Sequence, residues 1–174
     1  MRGADRINQL RGYNVDVIIL DLPGVPGECL LKGFADKIEC LSYSHAVAMQ
    51  MTSDVSNKER TSGKPNVQDF TLSKYMDKSS PVLNQACCEG RKIGDTKVTV
   101  GRNEAGTVMP LIVYTLKDAM ISSVSAASSG GDKPSETLTL NFTAIQWDYT
   151  AQKPDSSKEG NAAGKWDMKT NDAS

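Results

Sequence analysis

Residues 137–150 read TLTLNFTAIQWDYT, and the spacing of their large apolar side chains decides the kind of fold to expect. Leu138, Leu140 and Phe142 stand two apart, the period of a strand with one buried face, and then the parity changes, the series continuing at Ile145, Trp147 and Tyr149. A change of parity carries the apolar set to the opposite face unless one extra residue is inserted, as in a β-bulge. The stretch therefore predicts a bulge or sharp bend near Thr143–Ala144, as where a strand turns the corner of a small barrel. The alternative is a strand covered on both faces, by a barrel core on one and by a neighbouring subunit on the other.

Strand text surrounds this stretch. Asp95–Arg102, Leu111–Ser125, Glu136–Gln152 and Gly164–Thr170 are separated by turns rich in Gly, Asn, Asp and Pro. Upstream, Val15–Leu22 is an apolar run closed by Pro23, Gly24, Pro26 and Gly27, which reads as a strand. Asp36–Met49, DKIECLSYSHAVAM, alternates, with Glu39, Leu41, Tyr43 and His45 on one face and Ile38, Cys40, Ser42, Ser44 and Ala46 on the other. The second face thus carries small and hydroxylated residues. A strand is expected at Asn66–Met76, where Phe70 and Leu72 share a face, followed by the one convincing helix signal. Ser79 or Ser80 suits its N-terminal cap, Pro81 its first turn and Gly90 its exit, while Val82, Leu83, Ala86 and Cys87 form a side that can pack on a sheet. The expectation is a mainly β protein with one short α-helix.

Residues 50–65, QMTSDVSNKERTSGKP, are polar and too long for a tight hairpin, and loops of that length usually carry function. Residues 1–14 show no period and read as a disordered arm, an expression leader or an early start codon, with one domain spanning 15–174. A chain of 174 residues can bury roughly 70% of its unfolded surface, enough to fold without disulfide or metal staples.

Lys and Arg total 20 against 21 Asp and Glu, with no run of like charge, so a groove neutralising several phosphates is not expected. Six per cent aromatics argue against a base-stacking platform. The N-terminus, MRGADRINQLRGYN, has no apolar run of signal-peptide length and the chain none of bilayer-spanning length, so folding in the cytoplasm and no membrane insertion are expected, with Cys29, Cys40, Cys87 and Cys88 as free thiols. Cys87 and Cys88 are helix neighbours pointing to different sides, and no Cys-x-x-Cys or His-x-x-x-His spacing exists, so no metal or cofactor is expected. His45 is the single histidine and reads as structural rather than as a catalytic base, so no enzyme activity is expected. The glycines of SSGGDKP, residues 128–134, follow no phosphate-loop spacing and read as a turn. Asn141-Phe142-Thr143 fits a glycosylation triplet but lies in strand text without a secretory signal. Composition and spacing alone stop at a β-barrel or sandwich with no visible active site.

Four stretches taken in order, IECLSYSHAV, NVQDFTLSKYMDKSSPVLNQACCEG, ISSVSAASSGGDKPSETLTLNF with WDYTAQK, and AAGKWDMKTN, resemble the Hcp (haemolysin co-regulated protein) family of the type VI secretion system. The second is the most specific, joining a strand, an Asp-Lys-Ser-Ser-Pro helix entry and a short helix. The resemblance implies a small β-barrel of two sheets with one helix at its side, six copies closing into a hexameric ring and rings stacking into the secretion tube. It further implies partners in a VgrG-type spike, a contractile sheath and effector proteins held in the lumen. Export to the medium or a target cell without a signal peptide also follows from it. By the same resemblance Ser44, with Ser42 beside it, is placed on the lumen as a cargo contact. The 50–65 loop, through Asp54, Asn57, Lys58, Glu59 and Arg60, is placed between subunits or rings. The chain departs from the pattern where Gly27-Glu28 runs into Cys29, where LLKGFADK precedes the second strand, and where the long loop is poor in glycine. A phage or phage-like tail-tube protein is the alternative on the same fold, and a single-domain ligand-binding barrel or enzyme the alternative of another class.

Overall fold

The computed structural model describes residues 17–51, 63–104, 106–152 and 158–173. Within them eleven strands form: β1 (Val17–Asp21), β2 (Ile38–Cys40), β3 (Ser42–Ser44), β4 (Val47–Ala48), β5 (Asn66–Val67), β6 (Phe70–Tyr75), β7 (Lys92–Glu104), β8 (Thr107–Ala127), β9 (Ser135–Asn141), β10 (Ala144–Gln152) and β11 (Lys158–Asp167). One helix, α1 (Ser80–Glu89), is inserted between β6 and β7. Nine strands share one sheet in the order β2-β1-β7-β8-β9-β6-β3, with β10 paired to β8 and β11 to β10; β4 and β5 make a separate two-stranded ribbon. All pairs are antiparallel.

Apolar residues at alternate positions supply the core from each strand. Phe70 and Leu72 of β6 stand in register with Leu140 and Leu138 of β9, and all four are fully buried. They pack with Ile38, Val98, Val100, Tyr114, Leu116 and Ile145 in one cluster, to which α1 contributes Leu83 and Ala86. A side chain of this kind, fully buried, stabilises the fold by about 1.5–3 kcal/mol. β1 is covered on both faces: Leu20 joins the main cluster, while Val17 and Ile19 join a second with Cys29 and Val108 beneath the loop that carries Leu31 and Phe34.

The parity change in residues 137–150 is a corner. β9 ends at Asn141, β10 begins at Ala144, and Leu138, Leu140, Phe142 and Ile145 are all buried across the break. At the same level β8 passes from one partner to the other, pairing with β10 through Lys117 and with β9 from Met120. Asp118 takes a left-handed φ of 48° there, and the amide of Thr143 donates to the carbonyl of Lys117 at 3.0 Å.

Three expectations are corrected. The segment Asp36–Met49 is not one alternating strand: β2 pairs with β1 and β3 with β6, at opposite ends of the strand series, and the chain bends at half-exposed Leu41, whose amide donates to Ser73 at 2.7 Å. The bend changes the parity, so Ile38 and Cys40 face the core, then Tyr43 and His45 do, and Ser42 and Ser44 are exposed on the outer face. The barrel is not closed by hydrogen bonds, since no ladder joins β2 to β3; their ends are linked by the chain itself through Leu41. The last strand is Lys158–Asp167 rather than Gly164–Thr170, and the chain turns after it with Asn171 at a left-handed φ of 58°.

The helix lies where it was expected, with Pro81 in its first turn and Gly90 in a left-handed exit at φ 58°. The capping is done differently. Ser79 makes no side-chain cap; Asp77 Oδ1 instead accepts the Ser79 amide at 2.9 Å and the Ser79 hydroxyl, and the Ser80 hydroxyl turns inward.

Candidate functional site

A sheet whose inner face is committed to leucine and phenylalanine must place every second residue outside, and on β3, β6, β9 and β8 those residues are hydroxylic. The pairing aligns them in rows. Ser44 is opposite Thr71, Thr71 opposite Thr139, and Thr139 opposite Ser123; in the next row Ser42, Ser73, Thr137 and Ser125 follow one another in the same way. Ser42 and Ser73 share a hydrogen bond of 2.6 Å, and Thr139 Oγ1 lies 2.6 Å from Ser123 Oγ and 2.7 Å from Ser122 Oγ. At one edge of this face Asp69 accepts from Ser122 at 2.6 Å and from Asn141 at 2.8 Å. The two rows carry no charge and no large apolar group.

Ser42 and Ser44 are thus brought together with six hydroxyls that reading of a single strand did not supply. The signal was present in DFTLSK, ETLTLN and ISSVSA, where hydroxyls alternate with buried residues, but only strand pairing joins them into one surface. Asp54, Asn57, Lys58, Glu59 and Arg60 lie outside the described residues.

Behind the hydroxyl rows, on the core side of the same strands, is a buried ionic group. Lys74 Nζ lies 2.9 Å from Glu136 Oε2 and 2.9 Å from Asp77 Oδ1, donates to the carbonyl of Tyr75 at 2.8 Å, and stands 3.3 Å from Ser80 Oγ, which donates to Glu136 Oε2 at 2.7 Å. Lys74 is fully buried and Glu136 nearly so. The group fixes the start of α1 against β6 and β9. Burial alone would raise the Asp77 carboxyl, but the donors on Ser79 and Lys74 outweigh it and hold it below the usual range.

His45, the residue after β3, lies inside an aromatic cage. Its ring stacks on Phe70 with centroids 5.4 Å apart, and lies 6.0 Å from Phe142, 6.3 Å from Trp147 and 6.4 Å from Tyr114. Burial depresses its basicity, outweighing a backbone hydrogen bond with Gln68 that raises it, and among the described residues no nucleophilic side chain is hydrogen-bonded to it. A pocket of about 410 Å³ at the β2 edge is lined by Glu28, Glu39, Cys40, Leu41, Tyr75 and Asp77, among others. Its polar groups are partly spent, Glu28 accepting the Lys78 amide and Asp77 serving Ser79 and Lys74, and burial pushes the Cys40 thiol up to about 12, far from a thiolate nucleophile. The four cysteines are unpaired. Among the described residues no group of three His, Cys, Asp or Glu side chains could hold a metal ion, and no helix is long and apolar enough to cross a membrane.

A family model described as "Type VI secretion system effector, Hcp" matches residues 19–149. Protein hcp1 of Pseudomonas aeruginosa is 35% identical over 147 residues, which is 84% of this chain and 90% of that protein. Among solved structures, one described as that of a type six secretion system protein superposes with a TM-score of 0.83 at 21% identity, covering 92% of this chain and 99% of the other. Hcp1 from Salmonella typhimurium superposes with a TM-score of 0.73 at 22% identity, covering 88% and 95%.

Proposed function

The chain belongs to the Hcp family of type VI secretion proteins, and from that premise we propose that it is the structural subunit of the secretion tube, closing with five copies of itself into a ring whose lumen is lined by the hydroxyl rows of β3, β6, β9 and β8. The observation that carries this reading is the two-sided sheet: one face committed to the core, the other paved with eight short hydroxyls in two registered rows. The two rows themselves carry no charge to repel or trap cargo and no large apolar side chain to bind it irreversibly, Asp69 at their edge being engaged by Ser122 and Asn141. It offers many weak, interchangeable hydrogen bonds, each with a net value of about 0.5–1.5 kcal/mol. Effectors could be held there during assembly and released after export. Ser44, exposed at the β3 edge of its row, is a position where a longer side chain would stand in such a lumen.

A closed ring is built from heterologous contacts, a different patch on each side of the subunit. The 50–65 loop, with Asp54, Asn57, Lys58, Glu59 and Arg60, lies between β4 and β5 in the chain and is assigned to contacts between subunits or rings. Stacked rings would engage the spike and sheath and leave the cell with the tube, without a signal peptide. The matching family model favours this reading over a phage tail tube.

Light scattering across a concentration series tests the assembly. The native chain should have six times the mass of one chain, and joint charge reversal of Lys58, Glu59 and Arg60 should lower that mass and reduce export. A chain that is monomeric at every concentration, together with export indifferent to the reversal, would overturn the proposal.

A further inference from the structure

Asp69, the residue before β6, has the outward parity of Thr71 and Ser73. It is the one charged side chain among the described residues on the hydroxyl face of β3, β6, β9 and the part of β8 paired to β9. Two strands hold it in place. Ser122 Oγ of β8 donates to Oδ2 at 2.6 Å, and Asn141 Nδ2 at the end of β9 donates to Oδ1 at 2.8 Å. A carboxylate offers about four acceptor sites, so two donors leave roughly half of its capacity unspent. Asp69 is partly exposed, and Ser122 and Asn141 are exposed beside it, so that spare capacity sits on a group positioned before any ligand arrives.

The carboxylate also sets a direction through its hydroxyl neighbours, because a hydroxyl has one proton to give. Ser122 gives its proton to Asp69, which has none to return, so at the 2.7 Å contact between Ser122 and Thr139 the donor is Thr139. Thr139 has then spent its own, and at the 2.6 Å contact between Thr139 and Ser123 the donor is Ser123. The relay runs from Ser123 through Thr139 and Ser122 to Asp69, and hydrogen bonds in such a chain polarise one another. Every hydroxyl in it has its proton committed and only acceptor capacity to spare. The other row is different: Ser42 and Ser73 share one hydrogen bond with either as donor, which leaves one of the two protons free.

We propose that Asp69, with Ser122, Thr139 and Ser123, is the corner of the hydroxyl face that selects cargo by charge, and that the group it takes is the guanidinium or ammonium of an arginine or lysine side chain on a polypeptide. A guanidinium brings five donors and an ammonium three, and neither brings an acceptor, which matches a corner with acceptors to spare and a negative charge. A carboxylate on the cargo would bring acceptors to acceptors and a like charge to Asp69. An exposed ion pair strengthens binding by only about 1.5- to 5-fold, so one corner discriminates weakly, while a ring repeats it around the lumen and lets a basic cargo engage several at once. The role in cargo selection rests on the tube reading above, whereas the contact between a cation and the face of one subunit does not.

Fluorescence anisotropy of the full chain with a labelled tetra-arginine peptide and a labelled tetra-glutamate peptide, at low and at high salt, reads the selection. The chain has a formal net charge of −1, so its overall field adds little preference of its own. The native chain should bind the arginine peptide about threefold or more tighter than the glutamate peptide, and the preference should shrink as salt rises. Asp69→Asn should lose the preference and Asp69→Glu should keep it, while Asp148→Asn, which removes a carboxylate from β10 outside this face, should leave it unchanged. Ser122→Ala keeps the carboxylate but frees the Thr139 proton, and should reduce the preference; it decides the matter if Asp69→Asn does not fold. A native chain without preference, an Asp69→Asn variant that keeps it, or an equal loss in Asp148→Asn would overturn the proposal. Light scattering on the same samples separates the two readings: preference without a ring counts against the tube alone, and a ring without preference counts against the Asp69 corner alone.

Discussion

Lys74 and Glu136 occupy positions that strand alternation reserves for apolar side chains, in phase with Phe70 and Leu72 on one strand and with Leu138 and Leu140 on the next. The sequence alone does not reveal them, because a charged residue in an alternating strand reads as solvent-facing unless the partner strand is known, and Asp77 and Ser80 complete the group from beyond the strand end. Two ions taken out of water are tolerated because Lys74 Nζ and the Ser80 hydroxyl engage Glu136 Oε2, although Glu136 Oε1 has no partner among the described residues, so removing one ion should be far worse than removing both. Lys74→Met, leaving Glu136 buried beside Asp77, is expected to cost about 3–5 kcal/mol in urea denaturation at pH 7. Lys74→Met combined with Glu136→Leu is expected to recover a large part of that loss; equal destabilisation of single and double variants would show that the pair is not coupled. Asp77 adds a pH dependence. Its carboxyl is held below the ordinary value of about 3.9, so its contribution is complete above that value and is lost as pH falls through the folded one. Acid denaturation of Asp77→Asn should lack the part of the slope below about pH 4 that the native chain shows.

At the scale of elements, the corner between β9 and β10 was legible because the parity of the apolar residues changes within one strand-like run, and inserted residues are the local way to achieve that. Leu138→Ala and Phe142→Ala, on either side of the strand end at Asn141, should each cost about 2–5 kcal/mol through lost burial and a residual cavity, measured by thermal or urea unfolding. A loss well under 1 kcal/mol at both would mean that the corner is not packed as described. The bend at Leu41 carries a signal of the same form, since the apolar residues of IECLSYSH pass from Ile38 and Cys40 to Leu41 and Tyr43, but with two residues on either side it is too short to read without the pairing of Ile38–Cys40 with β1 and of Ser42–Ser44 with β6. The last strand was misplaced because Gly160, Ala162, Ala163 and Gly164 carry no apolar period; β10 recruits them through the backbone, with Gly164 opposite Trp147. The helix was found by its punctuation, Pro81 and Gly90, although Asp77 and not a serine caps its start.

For the whole molecule, the eight hydroxyls matter as a surface and not as individual groups: a single strand offers Ser42 and Ser44, and only strand pairing joins the other six to them. Ser44→Gln should leave the unfolding midpoint within about 0.5 kcal/mol of the native chain, as expected of an exposed strand position, yet change which effectors co-purify with the ring. Retention unaltered for every effector tested would remove Ser44 from the cargo surface. The sheet is an open series tied together by the chain at Leu41, so each subunit keeps free strand edges, and ring closure is one way to cover such edges. Negative-stain electron microscopy of the purified native chain tests this most directly. The account predicts six-fold rings with an open centre; compact single subunits at high protein concentration, with no ring in any field, would contradict it.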